Sequence, residues 1–555
     1  MHSKMLFKNP WSYAPWIMFL VGCWISVIRN MGPGLTYVPG NLGDNRFNIY
    51  QLEHFYRWVV GLDASYWNAA IFYPFPNTTA FGDNLLGTAP LYAFFRGFGL
   101  DRETAFQIWY VFGFFFNFVS AFYVLHRIGA KPLAGGVGAF FFSFGLPLIS
   151  QEGHAQLIYR CGVPFACYFL WDFSERPKLW KLLLVGLSLV WQIYASIYAG
   201  IFLGLLLLAT FILFPFFQSS TKGESVFVIL PKKLESSWRE TSLIWRAIFV
   251  VSNIALLACL FFLLQPYYSV TRMYGFTRTL SEVSFMLPQP ESYFLADWSL
   301  IWGKLSASMQ NIKYLRWEHQ LFPGSAVIIL ILASLVWPPK SEYRKLAWLY
   351  LGATLMLIIA TLNLHGYSYY PLVMMIPGVD SIRAVSRIVL VLMWPIAVFI
   401  TSVLDSMLET TFSAKMKAAN WFAYTLIILL VVESLAFSHS HFSKTVARNR
   451  LADIKRMIPT EIPQEPILVL HINQEDWYLG ILDEIDAILV AQDLGWPTLN
   501  GYSGNYSEGY RSPGTCHNVS ELIQAYMRFA GITDQQFHSR IISRTVPIGF
   551  NDCNH

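Results

Sequence analysis

Beginning at Tyr13, long stretches of apolar residues alternate with short polar or Pro/Gly-rich connections as far as residue 438. An apolar run of about 17 to 25 residues is what a helix needs to cross a bilayer. By that measure the pattern predicts eleven spans, near 13–29, 104–126, 133–150, 159–174, 179–195, 197–216, 244–264, 321–337, 346–362, 387–404 and 421–438, and a re-entrant or partly inserted helix near 84–100. Between the first two spans the period changes. In "NIYQLEHFYRWVV", Ile49, Leu52, Phe55 and Val59 recur at helical spacing, which predicts an amphipathic helix on the membrane surface, with Glu53 and Arg57 paired four residues apart. After residue 438 charged residues return. There "EPILVLHI" (465–472) and "DAILVAQ" (486–492) read as short strands and "SELIQAYMRFAG" (520–531) as a helix. The expected fold is an α-helical polytopic membrane domain, 1–438, followed by a small α/β domain, 439–555.

Composition fits this division. Hydrophobic residues make up 55% of the 555 residues and charged ones 13%, too apolar a balance for an ordinary soluble protein. Asn30-Met31-Gly32-Pro33 follows the first run where a signal peptide would carry small residues, so that span is expected to stay as an anchor. Basic residues fall on alternate connections: Lys4 and Lys8; Arg127 and Lys131; Arg176, Lys178 and Lys181; Lys222, Lys232, Lys233 and Arg239; Lys340, Arg344 and Lys345; Lys415 and Lys417. The positive-inside rule makes that side cytoplasmic. Residues 30–103, 151–158, 265–320, 363–386 and the tail then lie on the extracytoplasmic face. The net charge of +5 is accounted for by these connections, which leaves no case for nucleic-acid binding.

The mixed chemistry gathers on the outer face. "GDNRFN" carries Asp44 and Arg46, "FGDNLLG" Asp83 and Asn84, "EGHAQ" His154 and Gln156, with Arg160 close behind. "RMYGFTR" ends in Arg278, "LRWEHQLFPG" holds Glu318 and His319, "DSIRAVSR" Arg383 and Arg387, and "NGYSGNY" Tyr502. Asp44 follows Gly43 just before a predicted helix, where an N-cap and a catalytic carboxylate are both open to it. Arg383 and Arg387, four apart, are expected on one face at the outer end of a membrane helix capped by Asp380 or Ser381. Two guanidinium forks there suit a lipid phosphate, although snorkelling to headgroups or pairing with a carboxylate would also satisfy them. His154 has two roles open, donating to a phosphate or completing its turn. No GxxxxGK[ST], HExxH, paired CxxC or GxSxG motif is present, so an ATPase motor, a zincin or a lipase-type hydrolase has no sequence support. Cys516 and Cys553 both fall in the tail, where an oxidising compartment permits a disulfide.

Taken together, "GDNRF", "GDNLLG", "GHAQ", "SIRAVSR" and "NGYSG" resemble the bacterial polytopic glycosyltransferases of the GT-C superfamily, over most of the chain. The resemblance implies an inner-membrane enzyme that takes sugar from a polyprenyl-phosphate-linked donor. It would transfer that sugar to a glycan, lipid or protein acceptor at an extracytoplasmic site, by inverting displacement. It makes Asp44 the general base and Asp83 a second acid. Arg383, Arg387, Arg160 and His154 become donor-phosphate ligands, and Arg46, Asn84, Gln156, Arg278, Glu318, His319 and Tyr502 substrate contacts. The first loop lacks an adjacent acidic pair, so no cofactor is called for with certainty and a divalent cation stays open. A lipid-linked-sugar flippase would also need a cationic lipid site, but it should carry ionisable groups along its spans, which here are nearly free of charge. A non-catalytic scaffold presenting the tail is the third alternative, and the arginine pair and loop acids count against it.

Overall fold

The computed structural model describes residues 12–217, 226–339, 343–408 and 414–550; Lys4, Lys8, Lys222, Lys340 and Cys553 fall outside them, and with Cys553 any pairing to Cys516. Among the described residues eight helices are long and apolar enough to cross a membrane: Ala14–Met31, Arg102–Arg127, Pro132–Ile149, Ile197–Phe217, Leu243–Tyr274, Arg344–Thr361, Val385–Met407 and Lys417–Leu435. The chain is an integral membrane protein. The other three expected spans are helical but shorter: Gly162–Glu175 with 14 residues, Leu179–Ala195 with 17 and Ser325–Ala333 with 9. The stretch near 84–100 forms the helix Ala89–Gly97.

Pro132–Ile149 and Val385–Met407 occupy the centre of the bundle and are buried along most of their length, whereas Leu243–Tyr274 stands at its edge. Glycine permits the central approach. A Cβ on Gly138 would come within 2.1 Å of Thr401 Oγ1 and 3.1 Å of the Ala397 carbonyl, so only a hydrogen side chain lets these two helices meet.

The Asp44–Val59 helix does not lie on the surface. Its residues Asn45 and Arg46, and then Asn48 through Phe55, are buried, because the tail covers the side that would otherwise face water. Glu53 consequently pairs with Arg96, at 2.7 and 2.8 Å, and accepts from Tyr92 Oη at 2.6 Å. Arg57 turns to Asp63 instead. A bidentate partner on an adjacent helix outcompetes the single contact available at i+4.

In the tail, Ile467–Leu470 pairs in parallel with Thr545–Ile548. The stretch 486–492 is not a strand. It lies inside the helix Trp477–Leu494, which Asp476 caps through the Tyr478 and Leu479 amides and which ends at Gly495 with φ +70. Burial around most of this helix removes the polar face that would have shown its period. The tail is stitched to the membrane domain by the antiparallel pairing of Tyr37–Pro39 with His441–Ser443, and by the ion pairs Arg46–Asp486, Arg102–Asp493 and Arg448–Glu103.

Candidate active site

Gly43 takes the N-cap position and Asp44 the first helical one, without a side-chain capping bond. The Asp44 carboxylate, 31% exposed, is therefore free to point away from the helix. Its Oδ1 accepts from Tyr502 Oη at 2.5 Å, and its Oδ2 lies 3.8 Å from His154 Nε2. Behind it, Asn48 Nδ2 donates to the Asp44 carbonyl at 2.9 Å and to Gln156 Oε1 at 3.0 Å, which fixes the first loop to the 151–158 turn.

His154 Nε2 also stands 3.3 Å from Glu318 Oε1. Glu318 is buried and accepts both arms of Arg387, Nη2 at 2.6 Å and Nε at 2.9 Å. Burial alone would push its pKa up. The Arg387 charge and His154 together overcome that and hold the carboxyl well below the usual carboxylate range. Arg387 also stacks over the Tyr198 ring, 5.4 Å from its centroid.

The two arginines do not share a helix face. Arg383 lies between Ile382 and Ala384, both non-helical, and Val385–Ile388 makes a single 3-10 turn before the long helix starts at Val389. Asp380 and Ser381 do not cap that helix; the Ser381 hydroxyl donates to Gly378 O at 2.6 Å. Four-residue spacing thus falls across an irregular segment. Arg387 turns inward to Glu318, while the half-buried Arg383 guanidinium has neither ion pair nor hydrogen bond among the described residues. Its charge reaches Tyr502 and Tyr506. Burial and Asp44 push the Tyr502 hydroxyl up, Arg383 opposes them, and the net rise keeps it a protonated donor.

Other expected site residues are committed elsewhere. Arg160 is fully buried, donating to the Leu390 and Phe142 carbonyls at 2.6 and 2.7 Å, so it joins segments of the bundle. Arg46 is spent on Asp486. Asp83 caps the helix Ile197–Phe217, accepting from Ser196 Oγ at 2.6 Å and the Ile197 amide at 2.8 Å, and burial raises its pKa. Asn84 closes its own turn through the Leu86 amide. His319 has both ring nitrogens engaged, with Ser292 Oγ at 2.8 Å and Phe285 O at 3.0 Å. Arg278 stands at the rim, bridging Glu282 and the Gly504 carbonyl. What converges is Asp44, His154, Tyr502, Glu318, Arg387 and Arg383.

Sequence reasoning did not single out Glu484. It is buried, its Oε2 accepting from Asn500 Nδ2 at 3.0 Å and the Gly501 amide at 3.1 Å, its Oε1 from Tyr510 Oη at 2.9 Å. Burial pushes its pKa to about 7. Two acids, Glu484 and Asp486, inside the apolar run "EIDAILV" were the available signal. Among the described residues no group of three or more His, Cys, Asp or Glu could hold a metal. The donor set explains this. Glu318 is spent on Arg387 and Asp83 on a helix cap, which leaves Asp44 with one imidazole among the described residues.

No protein-family profile and no curated protein matches the chain. Among solved structures, it is similar to the archaeal oligosaccharyltransferase AglB from Archaeoglobus fulgidus in complex with an inhibitory peptide and a dolichol-phosphate. The TM-score is 0.49 and the identity 13%, over 96% of this chain and 69% of that one. It is also similar to ArnT from Cupriavidus metallidurans bound to undecaprenyl phosphate, with TM-score 0.42 and identity 10%, over 89% of this chain and 90% of that one. Likenesses at this level leave the reading of the site to its own geometry.

Proposed function

We propose that the protein is a membrane glycosyltransferase of GT-C type that moves a sugar from a polyprenyl-phosphate-linked donor to an acceptor hydroxyl on the extracytoplasmic side. One observation carries the reading: a partly exposed carboxylate, Asp44, held by Tyr502 and facing His154, in a cluster with an unpaired arginine at the end of a bundle of membrane helices. In the reaction the acceptor oxygen bonds to the anomeric carbon and gives its proton to Asp44. The bond from that carbon to the carrier phosphate breaks on the opposite face, and the phosphate leaves with the electron pair. A single displacement of this kind inverts the anomeric centre. Tyr502 occupies Oδ1 and leaves Oδ2 as the basic oxygen. Arg383, with no ion-pair partner among the described residues, is the group available to the leaving phosphate. Arg387 is reassigned: by fixing Glu318 it orients His154 toward Asp44.

A flippase reading finds less support. Among the described residues, ionisable groups buried in the bundle are tied down: Arg160 to carbonyls, Asp405 to Tyr343 Oη and the Lys131 amide, and Glu433 to Trp302 and Ser325. The test is turnover of synthetic short-chain polyprenyl-phosphate sugars by protein in nanodiscs, with products identified by mass spectrometry. Wild-type protein should release polyprenyl phosphate, and Asp44→Asn should not, at unchanged thermal stability. Failure of the wild type to consume any such donor, together with movement of donor across sealed vesicles, would replace this function with transport.

A further inference from the structure

The tail helix Trp477–Leu494 starts against the first loop. Ile481 faces Gly43, where an added Cβ would stand 4.0 Å from its methyl group. Tyr478, three residues earlier, lies on the same helix face one turn nearer the N-terminus, and so toward the neighbouring Asp44. The electrostatics agree: after burial, the Asp44 charge is the main influence pushing the Tyr478 hydroxyl up. Trp477 meets Tyr478 edge-on, with ring centroids 5.9 Å apart and planes at 69°. Both rings are presented outward, Trp477 70% exposed and Tyr478 39%, on a first turn held rigid by the Asp476 cap. Two such rings side by side on a charged domain mark a contact surface better than a packing one.

Their surroundings narrow the occupant. Asn473, Gln474, Glu475 and Asp476 lead directly into the two aromatics along the chain, and no Lys or Arg occurs between 457 and 510. The two arginines whose charge reaches Tyr478 are already neutralised, Arg450 by Asp483 and Asp486, Arg46 by Asp486. Arg383, in contrast, acts on Tyr502 and Tyr506. Near Asp44 there are thus two distinct features: Arg383, without an ion-pair partner among the described residues, and an exposed aromatic pair preceded in sequence by carboxylates and amides.

We propose that Trp477 and Tyr478 form the acceptor subsite, and that they take a neutral sugar ring of a glycan acceptor. The inference rests on the proposed transferase function and names its acceptor class. A pyranose offers a C–H face to an indole and hydroxyls to carboxylates and amides. An anionic acceptor would meet Glu475 and Asp476 on a stretch of chain, 457–510, that carries no Lys or Arg to offset them. The placement also suits the displacement. The acceptor hydroxyl, held over Tyr478, is then within reach of the Asp44 carboxylate whose charge acts on that ring.

The test is a titration of full-length protein in nanodiscs, without donor, by neutral gluco-, galacto- and manno-hexaoses, followed by Trp fluorescence and saturation-transfer NMR. A uronic-acid hexamer and anionic phospholipid vesicles serve as the competing classes. Saturable binding of at least one neutral hexaose is expected, weakened about tenfold in Trp477→Ala and in Tyr478→Ala and largely kept in Trp477→Phe. Both positions are exposed, so the variants should fold, which an unchanged melting temperature verifies. Absence of binding to every neutral probe, preference for the uronic-acid hexamer or the vesicles, or binding unaffected by both alanine variants overturns the proposal. Because no donor is present, the result is independent of donor turnover, whose absence in the wild type would instead defeat the function itself.

Discussion

Glu484 offers the sharpest test of how the site is held. Its carboxylate ties both ends of the loop that carries Tyr502, through Asn500, Gly501 and Tyr510. Burial raises its pKa from 4.5 to about 7. The folded protein therefore binds this proton more tightly than the unfolded chain does. The resulting stabilisation is fully present below pH 4.5 and is lost as pH rises through 7. A rise of that size corresponds to about 3 kcal/mol. Glutamine at this position has no proton to lose. Its Oε1 can accept from Asn500 and Gly501 while its Nε2 donates to Tyr510 Oη, whose own proton can turn to the Gly501 carbonyl, 3.4 Å away. Glu484→Gln should thus leave stability nearly unchanged at pH 4.5 and raise it relative to wild type by up to about 3 kcal/mol at pH 8. Urea unfolding in detergent micelles, compared between wild type and variant at each pH, cancels the groups the two proteins share. A difference that stays constant from pH 4.5 to 8, or a variant weaker throughout, would refute the assignment of this proton to Glu484.

Three further outcomes are expected. Arg383→Lys keeps the charge but removes the planar fork, so KM for the lipid donor should rise about tenfold in a steady-state transfer assay; an unchanged KM would place the phosphate elsewhere. Arg387→Ala leaves Glu318 charged and buried without its partner and should cost about 3 to 5 kcal/mol of stability, much of it recovered by adding Glu318→Gln; calorimetric melting of the single and double variants decides this. Cysteine-accessibility tags after Ser440 and near Lys232 should label from opposite sides of the membrane, and labelling from one side alone would undo the orientation.

Which parts of the molecule were legible in the sequence follows from how each signal is generated. Long helices announce themselves through the cost of exposing anything polar to lipid, so the runs ending at Arg127, Phe217 and Leu435 could be read directly. Asp44, His154, Glu318 and Tyr502 stood out as polar groups in short loops, and the structure brings them together. Partner choice was not legible. Glu53 with Arg57, and Arg383 with Arg387, have the spacing of helical neighbours, but Arg96 and Glu318 arrive from distant segments and make better pairs. The Trp477–Leu494 helix was misread for a related reason: packed between the first loop and the tail sheet, it hides its period along with its polar face.

The sequence separation of the site's partners has a consequence for how the protein is made. Tyr502 is synthesised 458 residues after Asp44, and Asp486 follows Arg46 by 440. At about 5 to 20 residues per second, the first loop waits roughly 20 to 90 seconds on the ribosome's clock before either partner exists. Throughout that interval Asp44 lacks the hydroxyl that orients it, Arg46 lacks its counter-ion, and the Tyr37–Pro39 strand has no His441–Ser443 edge to join. On the proposed function, activity is withheld until the tail has been completed and has joined the first loop. On that reading a chain cut short after its last membrane helix would insert and yet stay inert, with Arg46 lacking Asp486 and the Tyr37–Pro39 strand edge bare.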